Sequence, residues 1–199
     1  ESLRLVVWAR SLLGQDVESF KDASSEKLPE NVTARLDAES GYASYQWDPE
    51  WSAAITSQYE DSLREMLRRC QASQTPVVLV CLGSNLRDCP PFKSELPDTL
   101  DVKSQQQFLD YFAQASALVD QPRAALQRYQ ECLKISDQYA LLHYRMARIY
   151  EQLGETIQAK DHCLLAKDTD ICPLRLSEAM DEIQRRLAAE FAVPLADAR

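Results

Sequence analysis

The chain has 199 residues, 45% of them apolar and 27% charged, and a net charge of −9 from 22 basic and 31 acidic side chains. This length supports one sizeable core or two small units, and no window approaches 18 uninterrupted apolar residues, so the sequence shows no transmembrane helix. The acidic balance argues against nucleic-acid binding, because the densest basic spots, Arg68-Arg69 and Arg185-Arg186, sit in acidic-rich helical stretches.

No secretory signal is visible. The chain begins with Glu1 and ends at VPLADAR, and it reads as an internal piece of a longer protein. Six cysteines (Cys70, Cys81, Cys89, Cys132, Cys163, Cys172) form no Cys-x-x-Cys pair. His143 and His162 supply no His-x-x-x-His spacing. No metal or other cofactor is therefore expected, and the cysteines read as free, mostly buried thiols.

In chain order, residues 2–13 carry Leu5, Trp8, Ala9 and Leu12 at helical spacing, which predicts a short amphipathic helix. Residues 15–47 are polar with weak periodicity and read as a long loop or lid. Asp48-Pro49 then opens a helix: Asp caps free backbone N–H groups and Pro suits the first turn. Its expected apolar face is Ile55, Tyr59, Leu63, Met66 or Leu67, and Cys70, and it runs to about Ala72. After the turn Gln74-Thr75-Pro76, residues 77–82 (VVLVCL) predict a parallel strand covered on both faces.

The strand runs straight into Gly83-Ser84-Asn85, then Arg87-Asp88 and Pro90-Pro91. Such an exit builds either a site or a turn. From about Ser104 to Asp168 the pattern is all helical and repeats. Phe112-Ala113 falls on Met146-Ala147 at an offset of 34 residues, Ala125 on Ala159, and Cys132 on Ala166. A period of 34 is that of the tetratricopeptide repeat. Ala113, Ala125, Ala147, Ala159 and Ala166 are expected where helices cross closely. The second repeat matches better, through Tyr144, Met146-Ala147, Tyr150, Leu153-Gly154 and Ala159. Ser177 then caps a helix with Met180, Ile183, Leu187 and Phe191 on one face, and Val193-Pro194-Leu195-Ala196 reads as a second strand. The expected architecture is α/β with an inserted all-α repeat pair, mostly helical overall. Its parts are residues 1–100, the repeats at 101–170, and a returning helix and strand at 171–199.

This order of parts, with NLRDCPPF at 85–92 and DICPLR at 170–175 as its best-marked pieces, resembles SGNH (GDSL-type) ester hydrolases that carry tetratricopeptide repeats inside the hydrolase domain. The resemblance covers most of the chain from about residue 48. It implies a flavodoxin-like α/β/α domain in which a Ser nucleophile, an Asp-x-x-His base and an oxyanion hole hydrolyse acyl esters. Neither Gly-Asp-Ser nor Asp-x-x-His occurs in these 199 residues. The nucleophile and base are expected outside this stretch, and the segment alone is expected to be inactive.

Asn85 is the one position that fits the family's Gly-x-Asn oxyanion donor. It also fits a wall of the cleft, or a turn in which Asn85 and Asp88 satisfy local N–H groups. Arg87, Asp88 and Arg175 are substrate-binding candidates. The same arginines also suit ion pairs, with Asp88 and Asp170 at hand. Tyr144, Arg148 and Glu151, on the expected inner face of the repeats, are candidates for a protein or peptide partner, and the alternative is that the repeats only shape the cleft. The expected partners are thus an ester substrate of the longer parent and a protein on the repeats, with no nucleic acid and no membrane contact from this segment. The rival to the hydrolase is a non-enzymatic repeat module for protein interaction. The compartment stays open: unpaired cysteines suit a reducing interior, whereas parents of this type are also membrane-tethered or exported.

Overall fold

The computed structural model describes residues 45–199. The helix expected at 2–13 and most of the polar stretch at 15–47 lie outside the described residues. Among the described residues six helices and two short parallel strands form the regular structure, and 59% are helical.

Helix α1 (Pro49–Ala72) starts as its sequence dictates. Asp48 is extended and its side chain accepts the Trp51 N–H at 2.8 Å. A turn leads into β1 (Leu79–Leu82), which is shorter than the apolar run 77–82. Residues 83–101 have no regular structure. Helix α2 (Val102–Ala117) is capped by Asp101, which accepts from the backbone of Lys103 and Ser104. Helices α3 (Pro122–Leu133), α4 (Ala140–Gln152) and α5 (Thr156–Asp168) follow through short turns. Between α4 and α5, Gly154 has φ +79°, a left-handed conformation that suits glycine at a helix end. Helix α6 (Glu178–Glu190), capped by Ser177, leads to β2 (Leu195–Ala198).

β1 and β2 pair in parallel, Leu79 opposite Leu195 and Leu82 opposite Ala198. Helices α2 to α6 all lie in the connection between these neighbouring strands. Two apolar cores result. One joins Leu63 and Leu67 of α1 to Ile183 and Leu187 of α6, against Val77 and Leu79. The other holds Phe108, Ala115, Tyr129, Cys132, Leu142 and Met146 between the helices of the insert. Of the five small residues expected at helix crossings, Ala125, Ala147, Ala159 and Ala166 are buried, whereas Ala113 is exposed.

Two further expectations change. Of the face expected on α1, Leu67 rather than Met66 is the buried alternative, and Ile55 is 42% exposed, because α6 covers only the stripe through Leu63 and Leu67. The first strand is covered on one face, not two. Cys81 is fully buried beneath the helices, while Val78, Val80 and Leu82 on the other face are exposed. A side-chain period of two sends alternate residues to opposite faces, so an all-apolar strand leaves a bare stripe wherever helices pack on one side only.

Candidate functional site

The carboxyl ends of β1 and β2 open onto a crevice of about 410 Å³. Open parallel sheets present their ligands at this end. Gly83 permits the strand exits to approach closely: a Cβ there would stand 2.9 Å from the Ala198 carbonyl oxygen. The crevice is lined by Gly83 and Ser84 from the exit of β1, by Lys160 and Lys167 from α5, and by Asp181 of α6 and Asp197 of β2. Its charges are largely cross-paired. Buried Lys167 donates to Glu178 at 2.6 Å. One Asp181 oxygen accepts from Arg185 at 3.0 Å and Arg199 at 2.8 Å, and the other is buried with the Cys81 thiol as its neighbour. Burial works to raise the Asp181 carboxyl, but the Cys81 thiol and the two arginines outweigh it and hold it below its ordinary value. Cys81 is pushed up by burial and by that carboxylate, so it is no nucleophile. Arg199 and Arg185 hold Asp197 down at about 2.

Asn85 stands beside this crevice. Its neighbours Ser84 and Leu86 line the crevice, and Asn85 itself is exposed. Its side-chain carbonyl accepts the Asp88 N–H at 2.9 Å. A backbone N–H only donates, so Oδ1 is the atom bound in the turn and the NH₂ group is not used by that bond. The turn and donor readings of Asn85 are thus two ends of one side chain.

The structure brings Arg87 together with the three residues expected on the inner face of the repeats. Arg87 Nε donates to Glu151 Oε1 at 2.5 Å, and the Tyr144 hydroxyl donates to the Arg87 carbonyl at 3.0 Å. Arg148 Nη1 lies 2.7 Å from Glu151 Oε2, in ion-pair range but off the line of a hydrogen bond. Further along, the Ser94 hydroxyl accepts the Leu141 N–H at 2.9 Å, and Leu96 packs into the core of the insert. Ser94 thereby caps α4, whose own N-cap residue, Tyr139, makes no side-chain cap. The segment from Arg87 to Leu96 therefore lies along α4 from its last turn to its first. Tyr144 and Glu151 are engaged by the protein's own chain.

Arg175 and Asp88 fall elsewhere. Arg175 donates to Asp170 at 3.3 Å and to the Cys89 carbonyl at 3.0 Å, with its guanidinium 5.9 Å from the Phe92 ring centre. The Asp170 carboxylate also accepts the backbone N–H groups of Phe92, Lys93 and Cys172. Arg175 thus pairs with Asp170, and the two together pin residues 89–93. Asp88 contributes its backbone N–H to the turn. The best-marked sequence pieces, NLRDCPPF and DICPLR, are the two halves of one clamp. Asp181 escaped sequence reading, although an acid in the first turn of a helix before a strand was its visible signal. The His143–His162 pair also escaped, because the two residues were weighed only as metal ligands.

All six cysteines are free, and no group of three metal-ligating side chains occurs among the described residues. No helix among them is long and apolar enough to cross a membrane. Compared with protein-family models, curated proteins and solved structures, the chain matches none.

Proposed function

We propose that this chain is an internal segment of an SGNH-type ester hydrolase, with a flavodoxin-like domain interrupted by two tetratricopeptide-like hairpins. The observation that carries the reading is the strand exit. Asn85 is tied through its carbonyl in the turn after Gly83, and its neighbours Ser84 and Leu86 line a crevice at the carboxyl ends of two parallel strands, which leaves its NH₂ group available as a donor. An oxyanion donor needs this: a preset N–H that costs no reorganisation when charge develops. The bare face of β1, where Val78 is 60% and Leu82 68% exposed, supports further layers of an α/β domain in the longer parent. The nucleophilic Ser and the His base belong to that parent, outside these residues. The hairpins serve the cleft by holding the loop that carries Asn85.

The test is turnover of p-nitrophenyl esters, with labelling by a fluorophosphonate, by the protein extended in both directions. The reading expects both activities in the extended protein and neither in the 199-residue chain. Absence of both from the extended protein would leave the interaction module as the account.

A further inference from the structure

Helices α4 and α5 meet at two imidazoles. His143 is buried, its Nε2 lies 2.7 Å from the Asp137 carbonyl oxygen, and its Nδ1 lies 3.0 Å from Nδ1 of His162. The His162 ring stacks on Tyr150, centroids 5.2 Å apart. A carbonyl only accepts, so neutral His143 carries its proton on Nε2 and its Nδ1 is an acceptor. His162 Nδ1 must then be the donor. A first added proton can enter at His162 Nε2 without breaking the N–H···N bond. A second proton has only His143 Nδ1 to occupy, which would set two N–H donors head to head. Tyr144 follows His143 on α4 and Glu151 lies in its last turn, and both hold Arg87, while Asp170, just past α5, holds Phe92 and Lys93, so the loop is tied to both helices. We infer that His143 and His162 form an acid-operated latch: protonation of both rings parts α4 from α5 and frees the segment from Arg87 to Leu96. The latch does not depend on the hydrolase reading, and it deepens that reading only because the freed loop carries Asn85.

The surroundings fit. Burial lowers both rings, His162 to about 4, with each other's charge added in the case of His162. The charges felt by the pair are Asp137, from the turn before α4, and Asp161, from α5. Both favour protonation and are outweighed. With folded values below the unfolded imidazole value of about 6.5, the unfolded chain binds more protons. The stability from the neutral pair is complete above about 6.5 and is lost as pH falls toward about 4. Other charged ties persist across that window, because Glu60 and Asp197 are held near 2. Asp168, raised by burial, acts with the opposite sign and gains stability on acidification.

The test is NMR of the whole 199-residue chain from about pH 7.5 to about pH 3, past the His162 value of about 4. Imidazole ¹⁵N shifts report each ring nitrogen, and amide protection factors report residues 85–96. The latch predicts Nε2–H on His143 at neutral pH and both rings titrating below about 6.5. It also predicts a loss of loop protection of about tenfold or more as the second proton binds. His143→Gln keeps an N–H toward the Asp137 carbonyl and has no site for the second proton, so its loop protection should show no acid step. Rings titrating at the ordinary value, a loop that stays protected with both rings charged, or a wild-type step in His143→Gln would each overturn the latch. Should His143→Gln fail to fold, the wild-type ring and loop titrations decide alone.

Discussion

Asn85 and Asp170 each tie a loop through one polar side chain. Asn85 spends its carbonyl on the turn and leaves its NH₂ group unused by that bond. In the extended protein, Asn85→Ala is expected to lower kcat by about 10²–10³ with little change in KM, as removal of an oxyanion donor does. Steady-state kinetics with an ester substrate measures it. Asp170 is the deeper structural residue. Its side chain is 1% exposed and serves three backbone N–H groups and Arg175. Asp170→Ala strands those donors and a partly buried cation, and should cost about 3–5 kcal/mol in denaturant unfolding. Both residues were visible in the sequence as members of short polar motifs. Their division of labour was not, because it depends on a loop 77 residues away from Asp170 folding back to meet it.

At the scale of elements, local chemistry was most legible where capping and periodicity agree. Asp48 and Ser177 cap α1 and α6 as their sequences demand, and Gly154, read in the sequence only as a repeat position, takes a positive φ past the end of α4. Gly154→Ala meets no neighbour and should cost about 1 kcal/mol from backbone conformation alone. Gly83→Ala meets the Ala198 carbonyl and should cost more, since the strand ends themselves must part. Thermal unfolding of the two variants compares them directly. Periodicity located α1 but not its bare flank, because a helical pattern says which residues are apolar and not how much of that stripe a neighbour covers. The inner face of α4 was legible as a surface of Tyr144, Arg148 and Glu151. What occupies it was not, since an extended segment such as 87–96 has no periodic signature.

At the scale of the whole molecule, two cores of different kinds share one chain. The helical core is closed by α2 to α4, whereas among the described residues the sheet has two strands and exposed apolar side chains at Val80 and Leu82. Backbone N–H groups in α4 should therefore exchange more slowly than those of β1 in the 199-residue chain, as amide exchange by mass spectrometry will show. The α/β character was read from a helix–turn–strand unit at each end of the insert. The described residues bear out a mostly helical chain with two short parallel strands, and the larger α/β domain is a proposal.

The central claim is that α4 holds the strand-exit loop in place, joining the candidate substrate residues to the candidate partner residues. Amide exchange of residues 87–94 in wild type and in the double variant Tyr144→Phe/Glu151→Gln tests it most directly. The two lost contacts, one of them an exposed ion pair of small worth, together predict exchange about tenfold faster in this segment, with protection in the core of α4 unchanged. Equal exchange in both proteins would contradict the claim, and the loop would then be held by Asp170 and Arg175 alone.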